Sequence, residues 1–148
     1  MIINYGRQNI DSAEIQAVIK VLKSEYLTQG PRITQFENLL NKKFGSKHCT
    51  VVSNGTAALH LTGLALGWRK DDIVLTSPNT FLATVNSIVY NGATPEFVDI
   101  CKETYCIDPN LLEDKIIKLK KIGKKIHSII GVDYAGHPCD WESIKYLS

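Results

Sequence analysis

The stretch Cys49-Thr50-Val51-Val52-Ser53-Asn54-Gly55-Thr56-Ala57-Ala58-Leu59 changes character at its middle. A short β-rich run meets a polar Asn-Gly-Thr turn and passes at once into an apolar helical pattern ending at Gly67. The alternation then repeats. Ile73-Val74-Leu75-Thr76 reads as a strand closed by Ser77-Pro78, and Thr80 to Tyr90 as a helix ending at Asn91-Gly92. Pro95 to Ile100 reads as a third strand, Asp108-Pro109 opens a helix to about Lys121, and Ser128 to Val132 reads as a fourth strand. Asp140 starts a last helix. Strands and helices in alternation with short loops predict an α/β fold on a mainly parallel sheet with flanking helices.

Upstream the pattern is purely helical. Asp11 with Glu14 three residues on is a capping box, and Ile15, Val18, Ile19 and Leu22 then fall on one helix face. Thr28-Gln29-Gly30-Pro31 interrupts, and a second helix carries Ile33, Phe36, Leu39, Leu40 and Phe44 before the C-cap glycine Gly45. Two segments are expected: a helical one over 1–46 and an α/β one over 47–148.

Composition excludes several classes. The hydrophobic fraction of 44% and charged fraction of 22% are those of a globular chain. A net charge of +2 gives no reason to expect nucleic acid. The lysine-dense run Lys118 to Lys125 reads as a solvated helix end. No apolar run approaches the roughly 20 residues that cross a bilayer. Met1 to Arg7 lacks the layout of a signal peptide, so a cytoplasmic protein without a membrane partner is expected. Cys101, Cys106, His137 and Cys139 match no ligand rhythm, so no metal site is expected and reduced thiols are.

Parallel sheets bind ligands at the carboxyl ends of their strands, which directs attention to four loops. Ser53 to Ala58 joins a strand to a helix, and the first amides of a helix are unpaired, outward-pointing and partly positive. A phosphate fits there on Gly55, Thr56 and Ala57, with the Thr56 hydroxyl as a further donor. Capping of the helix by Asn54 or Thr56 is the competing reading. Phe81, after the second strand, is placed either to stack on a flat cofactor ring or to fill core. Asp99, and the Asp133-Tyr134-Ala135-Gly136-His137-Pro138 turn, lie at further strand ends.

Taken in order, Leu27-Thr28-Gln29-Gly30, Phe36-Glu37, Ser53 to Leu59, Thr80 to Thr84, Asn91 to Pro95, Phe97 to Ile100 and Val132 to Gly136 resemble the DegT/DnrJ/EryC1/StrS sugar aminotransferase family. The resemblance implies the fold type I large domain and pyridoxal 5'-phosphate as cofactor. It further implies a homodimer acting on a nucleotide-linked keto-sugar with glutamate as amino donor, in surface polysaccharide or nonulosonic acid synthesis. Gly55, Thr56 and Ala57 then grip the cofactor phosphate, Phe81 stacks on the pyridine ring, and Tyr5, Tyr26, Leu27 and Thr28 meet the nucleotide-sugar. The family's aspartate beneath the pyridine nitrogen and its Schiff-base lysine stand in motifs that do not occur in these residues. The chain is therefore expected to be the front part of an enzyme, with no catalytic residue assigned and no activity alone. A non-catalytic phosphate- or nucleotide-binding module, a sugar 3-dehydratase on the same scaffold and a structural dimerisation domain remain as alternatives.

Overall fold

The computed structural model describes residues 6–148. The chain divides into two compact units that meet in sequence between Val51 and Val52.

The first unit contains two helices set by their caps. Helix α1, Ser12–Leu22, begins at Asp11, whose carboxylate accepts from the Ala13 and Glu14 amides while Glu14 returns to the Asp11 amide. Helix α2, Pro31–Phe44, opens with proline in its first turn and closes at Gly45, which takes the left-handed φ of 66° that glycine tolerates best. The apolar stripes read from the sequence are present, yet neither helix contains a buried residue. Ile15, Val18, Leu22, Phe36, Leu39 and Phe44 are all at least half exposed.

The expected strand at Cys49–Val52 does not form. The segment joins no ladder, and its Val51 amide donates to the Glu37 carboxylate at 3.0 Å instead. A β-rich composition makes a strand only where a neighbouring strand offers a ladder.

The second unit is a three-stranded parallel sheet in the order β2-β1-β3, formed by β1 Ile73–Thr76, β2 Thr94–Phe97 and β3 Ile126–Ile130. Helices α3, Gly55–Leu66, and α4, Leu82–Tyr90, belong to one face. Helices α5, Pro109–Lys121, and α6, Trp141–Leu147, belong to the other. Every residue of β1 is buried. Its side chains alternate, Ile73 and Leu75 toward α5 and α6, Val74 toward Trp68, Ile88 and Ala93.

Strand β3 keeps this parity by an irregularity. Ile73 pairs with Ile126, but Val74 pairs with Ser128, so His127 is skipped. Without that extra residue, the face of every later β3 side chain would invert. With it, Ile126 and Ile129 join the α5–α6 core and Ile130 joins the other. Ser128 accepts from the Trp68 indole at 2.9 Å. Strand β2 ends at Phe97, short of the expected Ile100, because β1 ends at Thr76 and Pro78 has no amide with which to continue a ladder. Val98 still donates to the Thr76 carbonyl at 2.9 Å.

Two contacts fix the amino edge of the sheet. Asp72 is buried, accepts from the Arg69 amide and pairs with Lys125 at 2.8 Å. The Lys125 hydrogen bond holds its carboxyl below the ordinary 3.8. Gly63 leaves room for the helix packing: a Cβ there would lie 2.4 Å from both the Trp68 ring and the Asn91 amide nitrogen.

Gly63→Ala is therefore expected to lower stability by about 1–3 kcal/mol, the cost of overpacking a close contact, measured by urea unfolding. The Asp72 contribution has a defined pH sense. A depressed carboxyl stabilises above its unfolded value and loses that effect as pH falls through its folded value. The stability gap between the wild-type chain and Asp72→Asn should stay constant from neutral pH downward, and should close only below the ordinary 3.8. A gap that widens on acidification would contradict the ion pair.

Candidate functional site

The candidate site of the second unit is assembled by helix direction. Asn91, just past α4, donates to the His60 carbonyl of α3 at 3.2 Å, and the His60 and Tyr90 rings meet edge-on at 5.6 Å. The turns following the two helices converge, with Gly92 beside the Lys70 amide. Both helices therefore run antiparallel to β1, and both begin at the carboxyl end of the sheet. Gly55, Thr56, Ala57 and Phe81 thus lie along that edge.

At the start of α3 the structure shows the capping reading. Asn54 is the N-cap, and its side chain accepts from the Ala57 amide at 2.8 Å, so that amide is already satisfied. The Gly55 and Thr56 amides and the Thr56 hydroxyl have no hydrogen-bond partner among the described residues. Gly55 is exposed and a Cβ built on it meets nothing within 4 Å. Its φ is not positive, so no left-handed conformation requires glycine here. What glycine provides at this position is open space for close approach to the backbone.

Phe81 is the N-cap of α4 and is 78% exposed. Among the described residues it fills no core, and its ring is open to a stacking partner. The loop carrying it is tied at both ends. Ser77 donates to the Asn79 carbonyl at 3.4 Å, and Thr80 donates to Thr84 at 2.8 Å. The Asn79 side chain reaches across 26 residues to the Tyr105 carbonyl at 3.1 Å. Tyr105 has a φ of 60°, a left-handed conformation uncommon for a bulky residue, and its ring lies 6.0 Å from that of Tyr134. Neither Asn79 nor Tyr105 is legible as a site residue from the sequence, because nothing local marks a hydrogen bond of that range.

The two strand-end aspartates act as loop caps. Asp99 accepts from the Ile100 amide at 2.8 Å. Asp133 accepts from the Cys139 amide at 2.9 Å and the Trp141 indole at 3.1 Å. Cys106 and Cys139 are buried and donate to the His137 and Val132 carbonyls. The Cys139 thiol is pushed up to about 12, first by burial and then by Cys106, so it stays protonated and is no nucleophile.

In the first unit, Tyr26, Leu27 and Thr28 lie in the connection between α1 and α2. Tyr26 and Leu27 are 58% and 66% exposed, and Thr28 is exposed too. The Tyr26 carbonyl accepts from the Ser24 hydroxyl at 3.1 Å. Tyr5 lies outside the described residues.

These residues fit a phosphate-bearing ring cofactor. Two unpartnered helix-start amides, a free hydroxyl and open space at Gly55 suit the phosphate, and an exposed aromatic suits the ring.

The comparisons with known proteins agree with this geometry. The model of the DegT/DnrJ/EryC1/StrS aminotransferase family matches residues 8–148. The chain is 41% identical over 146 residues to a UDP-4-amino-4,6-dideoxy-N-acetyl-beta-L-altrosamine transaminase of Campylobacter jejuni, covering 99% of the chain and 38% of that protein. A Streptococcus pneumoniae protein assigned as a sugar aminotransferase, solved in its PLP form, superposes with a TM-score of 0.87 at 31% identity. That match covers 98% of this chain and 36% of that one. The Helicobacter pylori aminotransferase of pseudoaminic acid biosynthesis gives a TM-score of 0.80 at 34% identity, with 97% and 38% covered. The chain spans just over a third of the length of the curated relatives it matches. The family's aminotransferases depend on pyridoxal phosphate, and its fold type I architecture is the one described above. The chain belongs to the DegT/DnrJ/EryC1/StrS aminotransferase family.

Proposed function

We propose that these 148 residues supply the phosphate cup and the ring-stacking face of a pyridoxal-phosphate-dependent sugar aminotransferase. The observation that carries this reading is the pair of unpartnered amides at Gly55 and Thr56, on the same edge as the exposed Phe81. The cofactor, when bound, supplies an electron sink for moving an amino group. The chain's own residues bind and orient it. The Gly55 and Thr56 amides and the Thr56 hydroxyl hold the phosphate, aided by the positive end of α3. Phe81 stacks on one ring face. Ala57 contributes its amide only if the Asn54 side chain swings off it, so the cup offers two backbone donors at rest and three when Asn54 turns away.

The proposed substrate is a nucleotide-linked keto-sugar, with glutamate as donor, in the synthesis of surface polysaccharides or nonulosonic acids. Similarity to the Campylobacter and Helicobacter enzymes supports it. The exposed Tyr26-Leu27-Thr28 stretch, with Tyr5, is the proposed sugar-nucleotide contact. A homodimer completes the proposal, supported by the uncovered apolar stripes of α1 and α2. No lysine of this chain stands in the family's cofactor-linking context, so the 148 residues alone are proposed to bind cofactor without turnover.

Pyridoxamine 5'-phosphate tests the reading cleanly, because it lacks the aldehyde that reacts with surface lysines. Titration followed by NMR should shift the Gly55 and Thr56 amides. Thr56→Val should weaken binding about tenfold, the loss of one hydrogen bond to a charged group. Phe81→Leu should weaken it about two- to tenfold, the range of one stacking contact. Glutamate-dependent production of 2-oxoglutarate by the chain alone should be undetectable. Shifts centred elsewhere, with both variants binding like wild type, would remove the assignment.

A further inference from the structure

One polar side chain on the carboxyl edge is spent on neither strand, helix nor cap. Asn79 sits two residues before Phe81 in the loop after β1, and its amide group donates to the Tyr105 carbonyl in the loop after β2 at 3.1 Å. The acceptor end is costly to build. Tyr105 is held at a φ of 60°, where a bulky residue is strained, by its own amide donating to the Cys101 carbonyl at 2.8 Å. The donor end is braced as well, since the Asn79 carbonyl accepts from Ser77. The Tyr105 ring leans on Tyr134 from the loop after β3, at 6.0 Å. The loop after β3 is thus joined through the Tyr105–Tyr134 rings, and the loops after β1 and β2 through one asparagine, two residues before an aromatic that is 78% exposed. A ring that exposed gains almost nothing from core packing to hold its direction, so its backbone has to be held instead.

We propose that Asn79 is a positioning residue for Phe81: it pins the loop after β1 to the strained Tyr105 turn, so that the aromatic face is set before the cofactor ring arrives. This rests on the reading of Phe81 as the stacking residue. It makes a separable claim, because the phosphate cup at Gly55 and Thr56 lies on another loop and does not use Asn79. Asparagine is suited to the task. Its side-chain amide donates to the Tyr105 carbonyl without adding negative charge near a phosphate site.

The test uses the 148-residue chain with two probes, pyridoxamine 5'-phosphate and inorganic phosphate, titrated by NMR. Asn79→Ala should weaken pyridoxamine phosphate binding about three- to tenfold and leave inorganic phosphate binding unchanged. Asn79→Leu, which keeps the side-chain volume and loses the donor, should do the same, and guards against a folding defect in the first variant. In a Phe81→Leu background, Asn79→Ala should cause no further loss, an outcome that a general structural role would not give. Unchanged pyridoxamine phosphate binding in both Asn79 variants overturns the inference and leaves the cup intact. Equal weakening for both probes overturns it also, by showing a general disturbance of the edge. Failure of the wild-type chain to bind pyridoxamine phosphate at all would instead sink the functional reading, and this inference with it.

Discussion

Burial of β1 on both faces is the constraint from which the second unit follows. Val74, Leu75 and Thr76 have no solvent exposure, so their backbone groups must be paired within the protein. Parallel ladders on either side do this, and a parallel ladder obliges the chain to cross back along a helix after each strand. Each crossing helix then begins where a strand ends, which gathers the helix starts and strand-end loops at one edge. The candidate site is thus a consequence of how a buried parallel strand is satisfied. The Asp72–Lys125 pair acts at the opposite edge, where it anchors the beginning of the same strand.

Much of this layout is legible in the sequence because the signals are local. Asp11 with Glu14, Pro31 with Gly45, and Asp108 with Pro109 each specify a helix end within a few residues, and each is found in place. The strands are less legible because a strand is a relation between segments. Cys49–Val52 has the composition and lacks the ladder. Strand β3 starts two residues earlier than its apolar run suggests, because the irregularity at His127 lets Ile126 pair with Ile73. No local pattern shows that irregularity.

The candidate site divides along the same line. The start of α3 is readable, since Asn-Gly-Thr before an apolar helix states both a cap and an anion cup. The structure shows the Ala57 amide taken by the cap, and on the proposed reading the two uses compete for it. The exposure of Phe81 is not readable, because an aromatic in a helix's first turn belongs as often to a core. The Tyr105 turn is less readable still: tyrosine is a poor marker for a left-handed φ, and only the long-range hydrogen bond from Asn79 gives it a role.

Magnitudes set how strongly such an edge can hold a cofactor. Two amides and a hydroxyl on a phosphate contribute about 1.5–3 kcal/mol each, and one stacking face about 0.5–1.5 kcal/mol beyond area. Association itself costs at least about 4 kcal/mol. The balance falls near the 4 kcal/mol that corresponds to millimolar binding. Tight retention of a cofactor therefore has to come from interactions additional to these, such as a second wall over the ring or a covalent link. On the proposed reading, what the 148 residues contribute is orientation: a phosphate fixed at the start of α3 and a ring face fixed by the loop after β1. On that same reading, rigid positioning of this kind makes later contacts productive, and the left-handed turn at Tyr105 serves it.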